Sequence, residues 1–383
     1  MIENLHLRNF KCFEALDLEL KPLTLLTGFN AAGKSTTIQT LLLLAQTLRR
    51  SYRGSSNLLL NGGLVALGSP ADVINNGGTR MELGVSNSEI KLLWRFAVKN
   101  TNRLILSTIN ATVNVGVETA QVRPDLLNGL RPAVGGKKVF DYLNNLEALT
   151  FLSAARQVET EVYPIPTDLG IARGDVGPIG QYASWWLHEE GDSPVDASRC
   201  CNALGLSSTL RGQVNAWTSD LFPGAEVNVV PVPKTGLMRL ELRSGRTSDW
   251  SRPANIGYGI SYAFPILLAG LAADAGRTLI LDSPEAHLHP RGQSRIGSFL
   301  AQMASAGVQT VVETHSDHVL NGVRLSLRTG TIRPADVAIY FFTARPDAPV
   351  VKLSVDQDGN ISDWPDGFFD QSEKDLASLA GWN

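Results

Sequence analysis

The string GFNAAGKS at residues 28–35 constrains this chain more than any other feature. It satisfies G-x-x-x-x-G-K-[ST] at every position. Before it lies a mostly apolar run at 23–26; after it, Ile38, Leu41, Leu42, Ala45 and Leu48 recur at helical spacing. The pattern predicts strand, glycine turn and a helix from Gly33 or Lys34, with Arg49 and Arg50 suiting the helix C-terminus. Such a turn aims backbone N–H groups at an anion in front of a helix N-terminus. Asn30, Ala31, Ala32, Gly33 and Lys34 are the candidate β-phosphate cradle, and Lys34 also bridges toward the γ-phosphate. The Ser35 hydroxyl is the candidate Mg²⁺ ligand, and Thr36 closes the nucleotide-binding set. The expected cofactors are ATP and Mg²⁺.

The remaining composition narrows the partners little. A chain of 383 residues, 43% apolar and 19% charged, suffices for one large domain or two modest ones. Its net charge of -3 gives no global pull toward nucleic acid or anionic membrane. Three cysteines, Cys12, Cys200 and Cys201, suit a reduced compartment and show no zinc spacing. The opening segment carries acids early and lacks an apolar core, so no signal peptide is expected. The longest apolar runs, 41–45 and 266–273, fall far short of the ~20 residues of a membrane span. A cytoplasmic protein is the expectation.

Along the chain, strands are expected at 5–7, 16–20 and 23–26. A mostly β region follows from about 58 to 150, with strands at 81–85, 91–98, 104–109 and 111–117. The Pro/Gly-rich stretch 163–180 reads as a surface loop, and 184–189 and 197–206 read as helices. The last third alternates: helix 260–273, with Pro265 tolerable only near its first turn, strand 278–281, helix 293–305, strand 310–312, helix 316–327, then strands 337–342 and 350–355. Alternation of this kind predicts a parallel sheet with covering helices.

Three more segments bear on chemistry. TLILDSPEAHLHP (278–290) is a buried strand ending in a carboxylate, Asp282, which could hold Mg²⁺ through water. VVETHSDH (311–318) is a second apolar strand running into polar residues, and it puts His315 at a strand's C-terminal end, where ligands bind in α/β sheets. NIGYGIS (255–261) leads into a helix with two glycines and a serine, a pattern that suits a second anion site. His287 and His289, with His315 and His318, raise a metal reading. Residues at i and i+2 diverge on a helix, however, and no cysteine accompanies them.

In this order the pieces resemble the ABC-type ATPase heads of the SMC, RecF and OLD-like AAA proteins. The closing SVDQDGNISDWPDGFFDQ is similar to a bacterial AAA-ATPase subgroup whose C-terminal domain of unknown function ends in W-P-x-G-F-F-D. LSAAR (152–156) and GQYASWWLHEEGD (180–192) resemble its mid-chain landmarks. The resemblance implies a P-loop parallel-sheet core, an antiparallel β subdomain and a helical lobe, without a long coiled coil. It divides the chain into a P-loop and β-rich part (1–150), an insertion (151–250), the signature, Walker B and switch-histidine part (251–330) and a C-terminal extension (331–383). It also implies a homodimer sandwiching two ATPs, in which Gly257, Gly259 and Ser261 act as signature residues across the interface. Asp282 takes the Walker B position and His315 the switch position. Such heads place a catalytic glutamate directly after the Walker B acid, where this chain has Ser283. A serine is no general base at neutral pH without help, and Glu285 is the substitute candidate. Arg156 and Gln157 are the candidates at the Q-loop.

Three functions are compatible with these features. The first is an ATP-binding and hydrolysing switch that dimerises around ATP and regulates a separate effector such as a nuclease, acting on nucleic acid or in phage defence. The second is an OLD-like nuclease with Asp356 and Asp358 as metal ligands, although Asp358-Gly359 reads more simply as a hairpin turn. The third, a transporter's ATPase subunit, is disfavoured by the missing LSGGQ string.

Overall fold

The computed structural model describes residues 1–50, 56–98, 105–156, 161–167, 171–201, 207–245, 247–343, 345 and 348–381. Two compact units partition the chain. The first comprises Met1–Lys21, Gly33–Phe151 and Gly276–Thr278, and the second Pro22–Ala32, Leu152–Ala275 and Leu279–Asn383.

An antiparallel sheet organises the first unit. Its order is Phe13–Glu19, Asn4–Phe10, Arg80–Ser86, Ile90–Ala97, Ile105–Val115 and Asn57–Leu59, with Glu118–Val122 also pairing to Ile105–Val115. Alternation buries one face, from Leu5 and Leu7 to Leu83, Val85, Leu92, Trp94 and Phe96. The strands expected at 104–109 and 111–117 are one strand, Ile105–Val115; Leu104 lies outside the described residues. Asn110 does not break it but pairs with Arg95, while Phe96 pairs with Thr108, so a bulge takes up the extra residue between them. The helix Gly136–Glu147 lies in the region expected to be mostly β. Its buried Val139, Tyr142, Leu143 and Leu146 follow the helical period. The helix Lys34–Arg49 is buried nearly all round, and Gln46 fixes it by donating to the Leu59 carbonyl at 2.7 Å.

The second unit is α/β. Leu23–Gly28 runs parallel to Gln309–Glu313 on one side and to Val337–Phe342 on the other. The sheet continues through Thr278–Asp282 to Thr150–Leu152 at one edge, and to the antiparallel Val350–Leu353 at the other. Continuous apolar runs suit strands buried on both faces. A three-stranded antiparallel sheet, Val162–Pro164, Leu237–Arg243 and Glu226–Pro231, accompanies a helical lobe of Ala183–Glu189, Leu210–Leu221, Tyr258–Ala272 and Pro290–Ser305. Trp217 meets Phe299 edge-on at 4.9 Å within that lobe's core.

Several local expectations are corrected here. The stretch 163–180 is no surface loop where it is described: Asp175, Val176 and Gly177 are buried, and the Asp175 carbonyl accepts from the Trp186 indole at 3.0 Å. Of the described residues 197–201, only Ala197–Arg199 is helical, a single 3₁₀ turn capped by Asp196; 202–206 lie outside the described residues. The helix expected from 260 begins at Tyr258 and runs through Pro265, which therefore sits in its interior and has no N–H to give to Ser261. Among the described residues no long coiled coil occurs. The longest helices, Lys34–Arg49 and Pro290–Ser305, have 16 residues each. Nor is any described helix long and apolar enough to cross a membrane.

Candidate nucleotide site

The P-loop segment begins where a side chain is impossible. Gly28 has φ +119, and a Cβ there would lie 2.2 Å from the Phe342 carbonyl oxygen. Glycine lets the chain leave the sheet while Phe29 N–H donates to that same oxygen at 3.1 Å. Ala31 follows at φ +59 and Gly33 at φ +105, two left-handed residues of the kind that form anion-binding backbone concavities. Gly33 is the N-cap of Lys34–Arg49. It offers no capping side chain, and the first turn holds no acid. Both features suit an anion at this end of a 16-residue helix, so the residues present fit a phosphate group. Asn30, Ala31 and Ser35 are exposed and Ala32 half-buried, whereas Gly33, Lys34 and Thr36 are buried.

Parallel register brings the other sheet ends level in the second unit. Glu313 pairs with Leu26 and Phe342 with Gly28, so Thr314 and His315 emerge at the sheet edge where Gly28 turns away. Ser283 N–H donates to the Glu313 carbonyl at 2.9 Å, bringing Asp282 to the same edge. Ser283 has φ +49, a strained conformation for a non-glycine residue, and its hydroxyl donates to Asp282 Oδ1 at 2.9 Å. Glu285 reaches the exposed His315 through the backbone. Its Oε1 accepts from His315 N–H and its Oε2 from the Thr314 hydroxyl, both at 2.8 Å.

Arg156 holds this turn from behind. Its Nη2 donates to the carbonyls of Asp282 and Ser283, each at 2.9 Å, and its guanidinium lies 5.4 Å from the Tyr262 ring centre. Burial pushes its pKa down to about 10, opposed by Asp282 and Glu285, so it remains cationic at neutral pH. Nε and Nη1 are buried with no hydrogen-bond partner among the described residues. Sequence reasoning placed Arg156 only as a Q-loop candidate inside LSAAR and gave it no contact with Asp282. Gln157 lies outside the described residues.

The NIGYGIS segment lines a cavity of its own. Gly257, at φ +90, is the N-cap of Tyr258–Ala272. A cavity of about 710 Å³ is lined by Gly257, Tyr258, Gly259, His287, His289 and Arg291, among others. Gly257 is exposed and Gly259 half-buried, whereas Ser261 is buried and its hydroxyl has no partner among the described residues. His287 stacks on Tyr262 at 4.3 Å, and His289 caps Pro290–Ser305 by accepting from Arg291 N–H. Those contacts give both histidines structural tasks. Among the described residues no group of three or more His, Cys, Asp or Glu could hold a metal.

A family model described as an AAA ATPase domain matches residues 1–132. The AAA domain model described by reference to the AbiEii toxin of a type IV TA system matches 214–321. A model for a protein of unknown function, DUF3696, matches 332–379. The OLD nuclease of Thermus scotoductus is 22% identical over 337 residues, covering 82% of this chain and 59% of that protein. The chain thus spans about three fifths of that relative's length. Among solved structures, the SMC head bound to the C-winged helix domain of ScpA superposes with TM-score 0.52 at 15% identity, covering 92% of this chain and 97% of that one. An Smc head with an extended coiled coil, bound to the C-terminal domain of ScpA derived from Pyrococcus furiosus, gives 0.51 at 13% identity, with 99% of each chain covered. Residues 28–35 and the strand ends at 282 and 315 thus lie within matches to AAA ATPase domain models, and the chain has the fold of SMC heads. At these identities the solved heads speak for the fold. The DUF3696 match spans Trp364–Asp370 and so includes W-P-D-G-F-F-D.

Proposed function

We propose that this head binds ATP with Mg²⁺ at residues 28–35, closes into a homodimer around two ATPs, hydrolyses them slowly and thereby regulates a separate effector. The observation that carries the reading is the turn at Gly28, with its left-handed Ala31 and Gly33, feeding an uncapped helix N-terminus whose first residue is Lys34. Lys34 faces the β- and γ-phosphates, Ser35 and Asp282 hold Mg²⁺, Glu285 positions the attacking water and His315 senses the γ-phosphate. Gly257, Gly259 and Ser261 belong to the signature that meets the second copy's nucleotide. Ser261 lends its hydroxyl only after the start of its helix rearranges. The motifs assign nucleotide contact to the parts 1–150 and 251–330, and leave 151–250 and 331–383 for partners or regulation.

Closure delivers work only to something that prefers the closed state, which implies a partner with differential affinity. A nuclease, or another effector of nucleic-acid transactions or phage defence, is the partner proposed. The relative's nuclease activity is not carried over. Asp356 spends its carboxylate inside its own turn, accepting from Asn360 N–H at 2.8 Å and from Asn360 Nδ2 at 3.1 Å. Gly359, at φ +77, lets that turn close.

Lys34→Ala tests the reading: equilibrium binding of a fluorescent ATP analogue should weaken at least 100-fold, about 2.7 kcal/mol, with the fold retained. Unchanged affinity sinks the site. Magnesium-dependent cleavage of DNA by the isolated chain, lost on Asp358→Ala, would move the assignment to a nuclease.

A further inference from the structure

The C-terminal motif touches the P-loop. Residues 365–368 form a type II turn: Phe368 N–H donates to the Pro365 carbonyl at 3.0 Å, with Gly367 at φ +85 in the third position. Asp370 braces the turn by accepting from Gly367 N–H at 2.9 Å, and Lys374 pairs with Asp370 at 2.9 Å. Phe368 is fully buried, with its ring 5.5 Å from Phe341 and 4.8 Å from Trp364. Phe341 in turn lies 5.6 Å from Phe29, the second residue of GFNAAGKS. A Cβ on Gly367 would fall 2.4 Å from Phe29 Cζ. The motif's glycine is thus required twice, by its φ and by the ring beside it. Around this contact Gly28, Phe29, His315, Asp366, Gln371 and Lys374 help enclose a cavity of about 380 Å³.

Packing alone does not explain Phe29. Its side chain remains 44% exposed, so it adds little to the core that Phe368 already fills. What it does occupy is the point between two residues of positive φ, Gly28 and Ala31. Backbone held in sparsely populated regions persists only where its surroundings over-determine it. Phe341 and Gly367 are those surroundings. Phe369, a non-glycine at φ +54, shows that the motif carries strain of its own.

We propose that the turn at 365–368 is a positioning element of the nucleotide site. Through Phe29 it holds the first turn of the P-loop in its phosphate-binding conformation, so the C-terminal extension sets ATP affinity and bound ATP in turn rigidifies the extension. The inference rests on the nucleotide reading above. Gly367→Ala should raise the dissociation constant for the ATP analogue about tenfold, alongside the lower thermal midpoint that its positive φ imposes with or without the Phe29 ring. Adding Phe29→Ala removes the clash, so the double variant should bind within about threefold of Phe29→Ala alone. That single variant, at an exposed side chain that folding does not need, should itself bind about fivefold more weakly than wild type. By reciprocity, ATP with Mg²⁺ should slow backbone hydrogen exchange across 364–370 in the wild-type chain. Wild-type affinity in both Gly367→Ala and Phe29→Ala, with only the thermal midpoint lowered, overturns the coupling and leaves the nucleotide site standing. A wild-type chain that binds no analogue overturns both.

Discussion

Glu285→Gln separates two roles that the geometry allows for one carboxylate. In the structure Glu285 accepts two hydrogen bonds of 2.8 Å, one from the His315 backbone and one from the Thr314 hydroxyl. Bonds to a charged acceptor contribute about 1.5–3 kcal/mol each. At this half-buried site the lower figure applies, so Glu285→Ala should cost roughly 3 kcal/mol in a denaturant titration. Glutamine keeps an oxygen for His315 N–H, and its amide can donate to the Thr314 hydroxyl, which also accepts. The expected stability loss for Glu285→Gln is therefore about 1 kcal/mol. Removing a general base, by contrast, lowers the chemical step by about 10²- to 10⁴-fold, or ~2.7–5.5 kcal/mol of barrier. The expectation is a nearly stable variant with normal ATP affinity and turnover reduced at least 100-fold, measured as single-turnover hydrolysis beside equilibrium binding. If Glu285→Gln turns over within about threefold of wild type while Glu285→Ala loses the full 3 kcal/mol, the carboxylate is a tie between two loops. The base then lies elsewhere, and His315 is the next residue to test.

Two further outcomes follow from the same edge of the sheet. Arg156→Lys keeps the charge but not the fork that reaches both carbonyls, and should lower the unfolding free energy by roughly 1.5–3 kcal/mol in urea; an unchanged midpoint would detach Arg156 from the Asp282 turn. Gly257→Arg points a bulky cation into open space at the start of Tyr258–Ala272, at a cost of about 1–3 kcal/mol for a backbone conformation that is essentially glycine-only; light scattering should show wild type doubling in mass with a non-hydrolysable ATP analogue and Gly257→Arg remaining monomeric, and a variant that still doubles removes Gly257 from the proposed interface.

Features written by a local rule were legible in the sequence. The apolar run at 23–26, the glycine after it and the periodic leucines beyond gave strand, turn and helix, because each depends on near neighbours. The helix Gly136–Glu147 was as periodic as the P-loop helix, yet was absorbed into a region named for its strands. The expected strands at 104–109 and 111–117 part at Asn110, since asparagine commonly marks a turn, but a bulge lets it stay in the ladder opposite Arg95. Pro265 is expected only near the first turn of its helix, but the helix starts earlier, at Tyr258, and burial of the surrounding helix on the core overrides the missing donor.

The site's polar wiring was hidden for a different reason. Glu285 was reached only as the nearest acid after Ser283, and nothing in the spacing said that it binds the backbone of His315. That contact follows from register: once Ser283 N–H is fixed on the Glu313 carbonyl, the residues just beyond each strand must meet. Register in turn depends on which strands are neighbours, a property of the whole sheet that no window of sequence contains. Arg156 obeys the same logic, since its two acceptors are main-chain carbonyls that any residue type would supply. A side chain that recognises backbone leaves no partner signature to read. Where a site is built on such contacts, a motif names the residues that touch the ligand and misses those that hold the motif in shape.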